Sequence, residues 1–279
     1  MPSLQTRPAP TAPAPQRRRD LLVSFPTLLA GFAVVTGLAM EPLHQVDLAL
    51  HGRWILRLLP AAQPFLQHVL DRIAGQAVDA PVLVAVALVL AARHRTWRPL
   101  LVAAAVEGGF FGLIGLMKLV FARPAPILGD PSFFHGGLWR DGWDGISFPS
   151  GHTAEGVLVY GAVVYLLAAW SLLSRRVVQG LAVVVGLVAL DAGLVSFLLG
   201  WHWATDLVGG WLAGGLVLRG IVVGDRWLSR RIGGGGGGDV EDWDACARSP
   251  LMTTPASSRP PSSRPATTRR SSPLEWTLL

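Results

Sequence analysis

Long apolar blocks, separated by short polar or basic segments, constrain this chain more than any other feature of its sequence. Of its 279 residues, 51% are hydrophobic and only 15% are charged, which is more apolar than a typical soluble domain. The blocks approach the ~20 residues that a helix needs to cross a bilayer. The sequence therefore predicts an all-α integral membrane bundle. The six predicted spans are about 21–40, 80–92, 100–121, 153–173, 177–199 and 207–223.

The basic residues lie mainly between the apolar blocks, and their distribution predicts how the spans are oriented. Four clusters, at 17–19, 93–98, 175–176 and 226–231, fall on one side of a six-span chain. Because cytoplasmic loops are enriched in Lys and Arg, that side and both termini are predicted to be cytoplasmic in a multi-pass cell-membrane protein. The segments predicted to face the periplasm or exterior are 41–79, 122–152 and 200–206.

Charge and composition also limit the partners and define the tails. The net charge of +6 does not indicate a nucleic-acid partner, since the arginines are concentrated between the spans and in the tails. Residues 1–20 are Pro/Ala-rich and residues 229–279 are Gly/Ser/Pro-rich, compositions typical of disorder. Residues 21–228 are predicted to form one membrane domain. The single cysteine, Cys246, excludes an internal disulfide and a multi-cysteine metal site.

The first outer segment, 41–79, has mixed charge and an interrupted apolar pattern. Leucines and isoleucines such as Leu48, Ile55 and Leu59 alternate with charged residues along it. This pattern predicts an amphipathic helix that lies on the membrane surface.

A polar motif, Pro149-Ser150-Gly151-His152, lies where a Gly-rich loop meets the fourth predicted span. Proline suits the first turn of a helix, so the three residues after Pro149 are predicted to lie at a helix N-terminus. Free N–H groups at such an end favour an anion, phosphate above all. Ser150 adds a hydroxyl, Gly151 lets the backbone approach closely, and His152 can transfer a proton near neutral pH.

A second histidine, His202, precedes Asp206 by four residues, a spacing that places both on one face of a helix. An aspartate that accepts from one ring nitrogen leaves the other nitrogen free to attack. His202 is thus the predicted nucleophile and His152 the general acid that protonates the leaving oxygen. Lys118 and Arg123 supply positive charge. The set predicts displacement at phosphorus through a phosphohistidine, with no metal or other cofactor.

Two other interpretations of these residues compete with this one. Two histidines and an aspartate can bind zinc, but the neighbouring lysine and arginine favour an anion. The candidate residues form three polar patches, at 118–126, 149–152 and 200–206. Each patch alone also fits a structural role, with Trp201 and Trp203 as interfacial aromatics and Lys118 extending its amine to the interface. Three such patches on one predicted side favour a functional site.

These residues resemble the type-2 phosphatidic acid phosphatase (PAP2) superfamily of membrane lipid phosphatases. The superfamily carries three motifs: Lys-x6-Arg-Pro, Pro-Ser-Gly-His, and Ser-Arg-x5-His-x3-Asp. Residues 149–152 reproduce the central motif, His202 and Asp206 match the third, and Lys118 and Pro126 match part of the first. The resemblance covers about residues 21–228 and implies six membrane helices with the active site at the outer face.

The sequence departs from the family pattern at both arginines that grip the phosphate. Ala125 stands at the first position, and Val195-Ser196 stand where the family has Ser-Arg. Losing one preorganised donor typically lowers the rate by ~10²–10³. Arg123, ~7 Å from Ala125 along an extended segment, and Arg140 in the same loop are the two candidates to replace the missing arginines. The alternative is that the pocket has changed to suit another phosphate ester or acceptor.

Three acidic residues, Glu107, Glu155 and Asp191, lie within predicted spans, where ionisable groups are costly and often functional. Glu155 is one helical turn from His152, so it is expected either to orient this histidine or to hydrogen-bond a neighbouring helix. Hydrogen bonding between helices is the expectation for the other two.

The sequence thus predicts a membrane lipid phosphatase that acts at the outer face on a polyprenyl diphosphate or a phosphatidate-like lipid. Two alternatives stay open. The same histidines can serve a lipid phosphotransferase, which passes the group to a lipid hydroxyl. A non-catalytic lipid-binding relative would explain the residues at 125 and 196, although it would not explain why His152, His202 and Asp206 are present together.

Overall fold

The computed structural model describes residues 24–170 and 173–233, and all regular structure in these ranges is helical. The predicted tails lie outside the described residues except for 229–233. The helices are α1 Phe25–Met40, α2 His44–Leu50, α3 Trp54–Leu58, α4 Gln63–Phe65, α5 Asp71–Ile73, α6 Gln76–His94, α7 Arg98–Gly108, α8 Gly115–Phe121, α9 Leu138–Asp141, α10 Gly151–Trp170, α11 Arg175–Leu198 and α12 Ala204–Gly233. Leu66–Leu70 and Gly109–Ile114 are π-helical, and Pro60–Ala62, Pro126–Leu128 and Gly142–Gly145 form 3₁₀ turns.

The long apolar stretches form a multi-pass membrane protein, as predicted. Five helical stretches of the described residues are long and apolar enough to cross a bilayer. A sixth is present if α1 and the α2–α3 segment, which meet at a bend of 78°, form one broken span. The five stretches are Pro60–His94, Arg98–Leu128, Gly151–Trp170, Arg175–Leu198 and Ala204–Arg231.

The observed helices extend beyond the spans that the hydropathy pattern indicates. The second predicted span, about 80–92, lies in α6, which begins at Gln76, where the carbonyl of Gly75 accepts from Val78 N, and the apolar helical stretch that contains α6 starts at Pro60. The last helix continues to Gly233, past the predicted domain boundary at 228. Its polar final turns contain no proline, so no residue there breaks the helix before the glycine run.

The segment 41–79 is not the single surface helix that its pattern predicts. It forms short helices because Gly52, at a φ of 152°, separates α2 from α3, and a second helical run begins at Pro60 and continues to Ile73. Its apolar residues are also used differently. Ile55 and Leu66 pack in a buried cluster with Val195 and Leu199 at the end of α11.

Helix α10 is the centre of the bundle, and glycines allow its neighbours to approach closely. Leu158, Ala162 and Leu166 are fully buried in a core shared with α6 and α7. A Cβ at Gly214 of α12 would lie only 2.5 Å from the carbonyl oxygen of Ala154. The two helices that carry the predicted histidine motifs are therefore in backbone contact near the site.

Aromatic rings fix the loop that leads into α10. Phe148 is fully buried, with its ring centroid 4.9 Å from that of Phe133 and 5.3 Å from that of Phe121. Phe32 of α1 packs on the same rings. This cluster holds the residues just before the Ser150-Gly151-His152 motif in one position.

Candidate active site

A cavity of about 420 Å³, lined by both charged and apolar residues, lies where the loop before α10, the turn before α12 and α8 meet. His152 and Gly151 line it from the start of α10, His202 from the turn, and Lys118 from α8. The three polar patches of the sequence thus surround one space. The other lining residues are Gly75, Gln76, Phe110, Ala125, Trp143, Asp144, Ile146, Ser147, Glu155 and Trp201.

His202 is paired with Asp206, although it lies in the turn before α12 and not on the helix that the four-residue spacing assumes. Nδ1 of His202 lies 3.4 Å from Oδ2 of Asp206, which also accepts from the backbone N–H of Trp203 at 3.2 Å. Asp206 is fully buried. Because Nδ1 faces this carboxylate, Nε2 is the nitrogen left free for chemistry.

Burial lowers the pKa of His202 below its ordinary value of 6.5, although the hydrogen bond with Asp206 partly opposes the shift. The charges of Lys118 and His152 add to the lowering. A histidine with a lowered pKa is neutral near pH 7, and only the neutral ring carries a lone pair that can attack an electrophile.

Arg123 lies behind Asp206, fully buried. Its Nη1 donates to Oδ1 of Asp206 at 2.6 Å, and its Nη2 donates to Oδ2 of Asp47 at 2.7 Å. Nε donates to the carbonyl of Pro131 at 2.8 Å. Thr205 completes the network by donating through Oγ1 to the same oxygen of Asp47 at 2.6 Å.

These contacts differ from the expectation that Arg123 would grip the phosphate. Its guanidinium is held by two carboxylates and does not line the cavity. The second candidate, Arg140, has a side chain that is 64% exposed, is paired with Asp141 at 2.8 Å, and also lies outside the cavity lining. No motif or spacing in the sequence points to Asp47, the second carboxylate that pairs with the buried Arg123.

Lys118 is the only lysine or arginine among the described residues that line the cavity. Its Nζ donates to the carbonyls of Ile146 at 3.1 Å and Ser147 at 3.3 Å, which direct the amine toward the loop before α10. The two positions at which the family has arginine hold small residues. Ala125 lines the cavity, and Ser196 is fully buried without a hydrogen-bond partner for its hydroxyl.

The two residues before His152 occupy different places. Ser150 N donates to the carbonyl of Asp206 at 3.0 Å, which joins the central motif to α12. The Ser150 hydroxyl is buried without a partner and does not line the cavity. Gly151 does line it, and a Cβ at this position would lie 3.5 Å from Cε of Lys118. The first N–H groups of α10 therefore lie beside the lysine, and both favour an anion.

His152 faces the cavity with a side chain that is 32% exposed. Its charged neighbour is not Glu155, the candidate from the sequence, but Asp71, whose Oδ1 lies 3.3 Å from Nε2. Glu155 lies deeper in the cavity wall and is 4% exposed. Asp71 belongs to the segment whose pattern predicts a surface helix, so its spacing carries no indication of this contact.

Within residues 24–170 and 173–233, no group of three or more His, Cys, Asp or Glu side chains is arranged to hold a metal ion.

The comparisons with known proteins agree with this architecture. Residues 96–230 match the model of the PAP2 superfamily. The fold is similar to the crystal structure of the first transmembrane PAP2 type phosphatidylglycerolphosphate phosphatase from Bacillus subtilis, with a TM-score of 0.61 and 20% identity over 74% of this chain and 98% of that one. No curated protein matches the sequence. The resemblance stated from the motifs is thus confirmed.

Proposed function

Because residues 96–230 match the model of the PAP2 superfamily, we propose that this membrane protein is a lipid phosphatase that cleaves a phosphate ester or diphosphate at the outer face. One observation carries the proposal: a buried His–Asp pair, a second histidine and a lysine surround one cavity. This combination supplies a nucleophile, a proton donor and a cation for phosphate, which are the parts that phosphoryl transfer needs.

In the proposed reaction, Nε2 of His202 attacks the phosphorus, a P–N bond forms, and the P–O bond to the lipid breaks. His152 gives a proton to the leaving oxygen, so the lipid departs as an alcohol, or as a monophosphate when the substrate is a diphosphate. Water then attacks the phosphohistidine while His152 removes a proton from it. The P–N bond breaks, inorganic phosphate leaves, and both histidines return to their starting states.

The phosphate is proposed to bind between Lys118 and the first N–H groups of α10. Both lie on the cavity, and they carry charge that complements the developing negative charge at phosphorus. Arg123 is proposed to act through Asp206 rather than on the substrate, since its donors are directed to Asp206, Thr205, Asp47 and Pro131. This assignment replaces the direct phosphate contact that the sequence led us to expect.

The proposal is tested by phosphate release from purified protein in detergent with EDTA. The substrates are phosphatidic acid, undecaprenyl diphosphate and phosphatidylglycerolphosphate, the last taken from the name of the structural neighbour. We expect His202→Ala to abolish release because it removes the nucleophile. His135→Ala is the matched control, since His135 is 63% exposed and pairs with Asp130 outside the cavity lining.

Retained release in the His202→Ala variant would contradict the proposed nucleophile. Transfer of phosphate to an added alcohol, in preference to release, would support the phosphotransferase alternative instead. If the wild-type protein turns over none of the three lipids, the result would indicate that the small residues at 125 and 196 do not support catalysis. It would then support a lipid-binding role.

A further inference from the structure

A carboxylate that the proposed mechanism does not use lies against the ring of His152. Oδ1 of Asp71 is 3.3 Å from Nε2 of His152, an ion-pair distance, and the aspartate side chain is 13% exposed. This oxygen is buried and has no hydrogen-bond partner in the described part of the chain. The imidazole is thus the group available to satisfy it, and an unsatisfied buried carboxylate oxygen is costly.

The position of Asp71 is fixed from the side of α11. Asp71 directly follows the π-helical stretch Leu66–Leu70, a type of turn that recurs at functional sites because its extra residue redirects the side chains that follow. Leu66 and Leu70 pack with Val195 and Leu199 in one buried cluster. This packing holds the end of the stretch, and therefore α5, against the outer end of α11.

The position of Asp71 is also fixed from the side of α10, the helix that carries His152. Tyr160 donates its hydroxyl hydrogen to the carbonyl of Ile73, the last residue of α5. Tyr160 lies eight residues after His152, about two turns along the same helix. Because one helix holds both His152 and the hydrogen bond to α5, the distance between Asp71 and His152 is set by the fold.

Other titratable groups also face His152. Glu155 lies one turn along the same helix, His202 and Lys118 line the same cavity, and Asp79 of α6 is within electrostatic range. Among the carboxylates of residues 24–170 and 173–233, only Asp71 reaches ion-pair distance from the His152 ring. It is therefore the group that can orient this ring.

We propose that Asp71 is a positioning residue for the general acid: it holds Nε2 of His152, so that Nδ1 faces the leaving oxygen. The inference rests on the proposed function, in which His152 protonates the departing lipid. A carboxylate on one nitrogen of an imidazole fixes the ring orientation and determines which nitrogen exchanges the proton. The site then contains two His–carboxylate pairs: His202–Asp206 attacks the phosphorus, and His152–Asp71 protonates the leaving oxygen.

The experiment compares two leaving groups, because a structural defect and a defect in general acid catalysis affect them differently. Phosphatidic acid must release an alkoxide, which needs a proton, whereas 4-nitrophenyl phosphate releases a stabilised phenolate that does not. We expect Asp71→Asn to lower kcat/KM for phosphatidic acid about 10- to 100-fold. For 4-nitrophenyl phosphate we expect a change within about threefold. kcat/KM is used because it reports the steps through P–O cleavage.

Three further variants distinguish a positioning role of Asp71 from a structural one. His152→Gln should show the same dependence on the leaving group, and the double variant should be no slower than His152→Gln alone, because the two residues act as one unit. Asp130→Asn is the matched control, since Asp130 forms an Asp–His pair with His135 outside the cavity lining. An equal loss for both substrates would indicate a merely structural role and would overturn the proposal.

A spectroscopic measurement separates this proposal from the proposed function. In protein with ¹⁵N-labelled histidine, the ring signals of His152 are identified by their absence in His152→Gln. Asp71→Asn should shift these signals, and Asp130→Asn should not. Unshifted signals would overturn the contact even in an active enzyme. Shifted signals in a protein that hydrolyses neither substrate would support the contact and contradict the proposed function.

Discussion

At the scale of single residues, the contacts of Arg123 show why it does not replace the arginines of the family pattern. A guanidinium that has two carboxylates as partners is strongly held, and breaking a buried pair of this kind typically costs ~3–5 kcal/mol. Arg123 contacts Asp206 and Asp47 in this way, and its guanidinium also lies 4.8 Å from the ring centroid of Phe133 and 5.7 Å from that of Trp203. Turning it toward a phosphate would leave both carboxylates buried without a cation. Lys118 is therefore the cation that remains for the substrate.

The pH dependence of the reaction follows from His202. Its pKa is lowered by burial below the ordinary 6.5, and only the neutral ring attacks. Activity is therefore expected to persist as the pH falls through 6.5 and to be lost only at a lower pH, as the ring becomes protonated. The measurement is the acidic limb of kcat/KM against pH for 4-nitrophenyl phosphate, whose leaving group does not require the general acid. A midpoint above 6.5 would contradict a buried, neutral nucleophile.

At the scale of helices, the geometry of the site depends on how closely α10 and α12 pack. His152 lies in the first turn of α10, and His202 lies two residues before α12 begins. Gly214 of α12 contacts the backbone of Ala154. Gly156 of α10 similarly faces Ala189 of α11, where an added Cβ would lie 3.2 Å from the Ala189 Cα. Larger residues at these glycines would move one histidine motif relative to the other.

Gly214→Ala tests this dependence. The added Cβ would lie 2.5 Å from the oxygen and 3.0 Å from the Cα of Ala154, so α10 and α12 must separate. We expect a loss of about 1–3 kcal/mol in the free energy of unfolding and a loss of phosphate release, measured by thermal unfolding in detergent and by the lipid assay. Gly224→Ala is the matched control on the same helix, because nothing lies within 4 Å of its Cβ position. Equal stability of the two variants would contradict the importance of this contact.

The helices also show what the sequence could and could not predict. The spans were predictable because apolar length is a local property. The approach of His202 to Asp206 was predictable only as a short-range contact, because His202 lies in the turn before α12 and not on the helix that the spacing assumes. The contacts of Asp47 and Asp71 could not be predicted from the sequence, since their partners Arg123 and His152 lie 76 residues and 81 residues away along the chain. Such contacts are set by how the short helices of 41–75 fold back onto the bundle. A hydropathy pattern does not contain that information.

At the scale of the whole molecule, charged groups are concentrated at the two ends of an apolar bundle. One end holds the cavity with its two histidines. At the other end, Arg98 of α7 pairs with Asp225 of α12 at 2.9 Å, and Tyr165 of α10 donates to the same aspartate at 2.6 Å. Between them, the core of α6, α7 and α10 is aliphatic. The basic segments that predict the cytoplasmic side flank the Arg98–Asp225 end, so the cavity is predicted to face outward.

This orientation is testable because the chain has one cysteine, Cys246. A membrane-impermeant maleimide applied to intact cells should leave Cys246 unlabelled if the C-terminal tail is cytoplasmic. In a Cys246→Ser background, Arg140→Cys should be labelled, because this side chain is 64% exposed on the loop beside the cavity. Labelling of Cys246 after the cells are permeabilised is the control for reactivity. The opposite result for both positions would place the cavity in the cytoplasm and contradict an outward-facing phosphatase.

A third position decides whether α1 and the α2–α3 segment together cross the membrane. The described helices give five spans, or six if this pair, bent by 78°, counts as one. Three spans separate residue 140 from residue 246 in either case, so the labelling of those two positions does not depend on whether the chain has five or six spans. The labelling of Ser3→Cys, in the same Cys246→Ser background, does depend on the number of spans. With six spans it shares the protection of the C-terminal tail, and with five it is labelled in intact cells. Labelling at residue 3 would contradict the predicted cytoplasmic N-terminus while leaving the outward-facing cavity intact.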